Sequence, residues 1–86
     1  MNSKIHYQSI IFYLAILKKQ KDDLMDQKEN YDPERTNKII NSYRFTIKKL
    51  IEHCEEFLMK EKEDWSKLED VSKLKRQYGK LLSSLR

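Results

Sequence analysis

His6, His53 and Cys54 are the strongest soft or borderline metal ligands in this chain, and Cys54 is its only thiol. A cysteine nucleophile needs a histidine that approaches it in space. Neighbours on a helix point about 100° apart, so His53-Cys54 does not form a catalytic pair. Cys54 falls on an apolar stripe and reads as a small core hydrophobe. His53, beside Glu52 and Glu56, reads as a surface residue. Di-iron bundles turn Glu-x-x-His inward, whereas Glu52, Glu55 and Glu56 lie off the apolar face here. Glu56 with Lys60, and Asp22 with Asp26, read as solvated helix surface. The expectation is a protein with no catalytic residue, no cofactor and no metal.

A second group has chemistry of a looser kind. Lys73, Lys75, Arg76, Tyr78 and Lys80 form a basic, aromatic segment near the C-terminus. Arg76 can grip a phosphate or carboxylate with two parallel hydrogen bonds, and Tyr78 can stack on a base or fill a partner's groove. The bland alternative is that Tyr78 continues an apolar stripe and the lysines keep the helix soluble. Charge follows the same division. Residues 1–31 carry 5 basic and 4 acidic side chains (+1), residues 32–64 carry 7 and 8 (−1), and residues 65–86 carry 6 and 2 (+4). The whole net charge of +4 therefore sits in the last segment. Five tyrosines are many for this length, and tyrosine is enriched at interfaces. Tyr43 and Arg44 are the candidate residues for an interface, or for a small-ligand cleft between subunits.

The elements that position these groups are helices. With one glycine, Gly79, and one proline, Pro33, the chain has almost no turn punctuation. The first helix can start after Asn2 or Ser3, either of which can cap it. Tyr7, Ile10, Leu14, Leu17 and Leu24 recur at helical spacing, and Ile11, Phe12 and Ile16 widen the stripe. That width predicts burial on more than one side. The helix fades near Glu29–Tyr31. Asp32-Pro33-Glu34 is the clearest local signal: an N-cap carboxylate, a proline where no amide is needed, and an acid in the first turn. The second helix thus begins at Pro33, antiparallel to the first. Its seam is Ile40, Tyr43, Ile47, Leu50, Cys54 and Phe57, flanked by Ile39, Ile51 and Leu58. After the charged run Lys60–Asp64 comes a third stripe: Trp65, Leu68, Val71, Leu74 or Lys75, Tyr78, Leu81 or Leu82, and Leu85. Ser66 with Glu69 fits a capping box, and Asp64 is a rival cap. No glycine or proline separates helices two and three, so separate helices and one long kinked helix both fit.

These readings predict an all-α fold: a small antiparallel bundle of three helices in one domain over residues 1–86, self-associating. At 86 residues the chain buries a modest share of its surface, and oligomerisation is one remedy. One cysteine fits a reducing, cytoplasmic setting. The run Ile10–Leu17 is far short of the roughly 20 residues that span a bilayer, and no membrane role is expected. Ala15 is the only alanine, while Lys, Ile, Asn and Tyr abound, as in AT-rich genomes. In size, helicity and lack of motifs the chain resembles phage-encoded inhibitors and mobile-element accessory proteins, by type and not by residues. The functional expectation is a helical module that binds another protein, itself included, and sequesters or inhibits it. Nucleic-acid association through the basic C-terminal helix is the alternative, and an oligomeric sponge for a nucleotide-like ligand a third.

Overall fold

The structure, a computed structural model, describes residues 3–85. Three helices follow in chain order: α1 (Ser3–Asp26), α2 (Pro33–Lys60) and α3 (Trp65–Ser84). No strand occurs among the described residues, and the fold is the small all-α three-helix bundle that the sequence predicts. α2 is the central element. At about 1.5 Å per residue its 28 residues run about 42 Å, close to the 47 Å long dimension of the molecule. α1 and α3 each pack antiparallel on α2, and their backbones do not meet each other. Side chains bridge them at one end, where the Lys67 ammonium sits 4.6 Å from the centre of the Tyr7 ring.

The first corner is built as its sequence dictates. The Asp32 carboxylate accepts from the Glu34 amide at 3.1 Å and the Arg35 amide at 3.4 Å, and Pro33 opens α2. α1 ends at Asp26, three residues before the expected fade. Gln27 is the reason. Its buried side-chain oxygen accepts from the Asp32 amide at 3.1 Å and the Thr36 hydroxyl at 3.0 Å, pinning the turn onto α2. Asn2, one of the two expected caps of α1, lies outside the described residues. Ser3, the other, is the first helical residue, and its hydroxyl donates outward to Glu61 at 2.7 Å.

The second corner decides between the two readings of the C-terminal half. α2 and α3 are separate helices, divided at Glu61–Asp64. Glu61 takes an extended conformation, and its amide makes the closing bond of α2 to the Phe57 carbonyl at 2.8 Å. Its carboxylate then accepts from the amides of Glu63 (3.1 Å) and Asp64 (3.0 Å). Asp64 caps α3 by accepting from the Lys67 amide at 3.1 Å, so the rival cap prevails over the Ser66–Glu69 box. Placing the cap at Asp64 makes Trp65 the first residue of α3, outside the apolar stripe and 77% exposed, which corrects its assignment to the third stripe. The helix continues through Gly79 to Ser84 despite a cost of about 1 kcal/mol for glycine in a helix interior.

Glu61 ties α1, α2 and α3 together at this end. The Ser3 hydroxyl first, then the Asp64 and Glu63 amides, stabilise the anion and lower its pKa from 4.5 to about 2. A carboxylate held below its unfolded value contributes stability that is fully present above pH 4.5 and lost as pH falls toward 2. Glu61→Gln is therefore expected to lower the melting temperature near neutrality, with the gap to wild type closing between pH 4.5 and 2. Melts across that range check this, and a gap independent of pH contradicts it.

The core consists of Ile10 and Leu17 from α1, Tyr43, Ile47, Leu50, Cys54 and Phe57 from α2, and Val71 from α3. The α2 seam is thus buried along almost its whole length, and Ile40 alone of its members is only half-buried. α1 departs from expectation. It is buried on one side only, and Ile11 and Phe12 are 54% and 61% exposed. α3 makes no backbone contact with α1, and both side chains stay uncovered.

Candidate interaction surface

Three sets of residues compete for a functional role. The first is the basic segment of α3, which the helix divides between two faces. Lys73, Arg76 and Lys80 recur at steps of three and four and are exposed. Lys73 is partly neutralised by Glu69 one turn away, at 3.3 Å. Lys75 points toward α2, where it pairs with Glu55 at 3.5 Å, and Tyr78 packs against the core. The five residues therefore do not form one surface; three of them form a short basic line.

The second set is Tyr43 with Arg44. Tyr43 is only 7% exposed and belongs to the core, where burial, and then the neighbouring Tyr78, raise its pKa. Arg44 donates from Nη2 to the Leu85 carbonyl, so its guanidinium holds the last turn of α3. Its Nε is buried without a hydrogen-bond partner among the described residues. Both side chains are engaged within the chain.

The third set is the outer strip of α1. Ile5, Ser9, Phe12 and Ile16 follow one another at steps of four, three and four, the spacing of a helix-packing seam. Ile5 (56% exposed) and Phe12 stand out from it, whereas Ile11 is exposed about 100° further round the helix. Lys4 lies near its beginning, and Lys19, Asp22, Asp23 and Asp26 near its end. Single exposed hydrophobes need no explanation, whereas several on one helix face mark an interaction site. The widened stripe of α1 was legible in the sequence; only the structure shows that no other helix covers it.

One cluster was missed. His6 and His53, 47 residues apart, meet across α1 and α2 with their Nδ1 atoms 3.1 Å apart. His53 also stacks on Tyr13, with ring centres 5.6 Å apart. His53 is thus half-buried rather than the free surface residue expected from Glu52 and Glu56. Burial first, and the facing His6 second, lower its pKa. The pair opens onto a shallow hollow shared with Glu52, Glu56 and Met59. Cys54, one residue on and about 100° round the helix, faces into the core, and burial pushes its thiol up to about 11. It is a poor nucleophile at neutral pH. No set of three histidine, cysteine or acidic side chains gathers as a metal cage among the described residues. Nor is any of the described helices long and apolar enough to cross a membrane.

Fold and surface together define a small three-helix all-α protein with one apolar helix face uncovered. No protein-family model, curated protein or solved structure matches the chain.

Proposed function

We propose that this chain is a non-enzymatic helical interaction module that binds a partner protein through the outer strip of α1, sequestering or inhibiting it. The observation that carries this reading is the strip itself: Ile5 and Phe12, each more than half exposed, with half-buried Ile16 on the same helix face. Burying such side chains contributes about 25 cal/mol per Å² of apolar surface removed from water. A helix with a matching stripe is the natural occupant, and a second copy of this chain supplies one. An antiparallel copy also sets Lys4 near the Asp22, Asp23 and Asp26 end of its partner, a favourable charge pattern.

Phe12→Glu tests the reading, because an exposed position tolerates the change in the isolated chain. Wild type is expected to self-associate with rising concentration in sedimentation or light scattering. Phe12→Glu is expected to be monomeric with an unchanged melting temperature. Should wild type stay monomeric at millimolar concentration, and a host-lysate pull-down return no protein that Phe12→Glu loses, the reading is overturned. The exposed line Lys73, Arg76 and Lys80 favours a second reading, nucleic-acid association. In that case wild type shifts DNA or RNA at low salt and releases it steeply as salt rises.

A further inference from the structure

From the His6–His53 juxtaposition we infer a binding site for one borderline divalent transition ion, of the zinc, nickel or copper class, clipping α1 to α2. Imidazole nitrogen suits all three ions, and histidine binds zinc at about 2.0–2.1 Å. For nitrogen–metal–nitrogen angles from square-planar to tetrahedral, such bonds place two ligand nitrogens about 2.9–3.4 Å apart. The two Nδ1 atoms stand 3.1 Å apart, inside that range, and a turn of each ring by roughly 40° off the line joining them aims both lone pairs at one ion.

The surroundings favour an ion there. The rings sit on helices fixed by the core, with Tyr13 stacked behind His53. They open onto a hollow that also exposes Glu52 and Glu56, and whose one cation among the described residues, Lys75, is paired with Glu55 at 3.5 Å. Glu56 lies one turn beyond His53, and its carboxylate is held only by a surface pair with Lys60 at 3.5 Å. Water, or Glu56 after a rotamer change, completes the coordination shell. In the ion-free neutral pair one Nδ1 carries a proton and donates it to the other. In the ion-bound pair both rings carry their proton on Nε2, so the exchange is a tautomer shift that releases no proton. The site draws on none of the residues assigned to the α1 strip.

Titration of the untagged chain with Zn²⁺, followed by calorimetry and thermal melts, is the test. Wild type is expected to bind one ion and to melt higher as Zn²⁺ rises, as mass action requires for a ligand of the folded state. Cys54→Ser should behave as wild type. His6→Ala and His53→Ala should each lose about tenfold or more in affinity, as well as the stabilisation. Ring resonances of His6 and His53 in wild type should broaden first on adding Ni²⁺, a readout that does not depend on how the variants fold. The proposal is overturned if wild type shows no stabilisation at millimolar Zn²⁺. It is equally overturned if either alanine variant binds as tightly, or if Ni²⁺ broadens other residues instead.

Discussion

Leu50→Ala is expected to leave the protein largely unfolded at room temperature, whereas Glu56→Ala leaves its melting curve essentially in place. Leu50 sits in the middle of the longest helix, fully buried between Ile47 and Cys54, which are equally inaccessible. Truncating a buried leucine removes its transfer energy and opens a cavity, together worth about 2–5 kcal/mol. Small domains hold only about 5–15 kcal/mol in total, and one whose two outer helices lean on a single central one belongs near the lower end. Glu56 makes only an exposed pair with Lys60, of a kind worth tenths of a kcal/mol. Circular-dichroism melts of the two variants decide the matter. Equal, mild effects would mean that the α2 seam is not the core.

Val71→Asp is expected to detach α3 while α1 and α2 stay paired. Val71 is the only fully buried residue of α3, and the rest of its stripe, from Leu68 to Leu85, is half-buried. A carboxylate forced into that position has no cation among the core residues and costs several kcal/mol. Hydrogen exchange should then show fast amides from Trp65 to Ser84 and retained protection in α1 and α2. Uniform loss of protection along all three helices would show that α3 is inseparable from the rest. Val71→Ala, which creates a small cavity and no charge, should weaken α3 without releasing it.

Much of this architecture was written locally. Asp32-Pro33-Glu34 specifies a helix start with three adjacent residues, and the alternating spacing from Tyr43 to Phe57 specifies a buried seam whatever packs on it. Asp64 was one of two legible caps, and choosing between them required Glu61, whose role depends on Ser3 arriving from the other end of the chain. What could not be read was anything set by the register between helices. Phe12 and Ile10 are equally apolar in sequence, yet one meets α2 and the other meets solvent. The meeting of His6 with His53 follows from how far α1 slides along α2, and no local pattern records that. The basic segment divides for a different reason: helical geometry turns Lys75 and Tyr78 away from Lys73, Arg76 and Lys80.

The arrangement of two outer helices on one central helix also governs how the chain reaches its native state. Each backbone pairing joins helices that are neighbours in sequence, α1 with α2 and α2 with α3, through short connections. Closing such short loops costs little entropy, and topologies dominated by local pairings fold on the order of microseconds to milliseconds. During synthesis both members of the α1–α2 pair exist once Lys60 has been added, before any of α3 has been made. The α1–α2 pairing thus draws on no residue that is made after Lys60, and α3 can add last, onto a pair already in place.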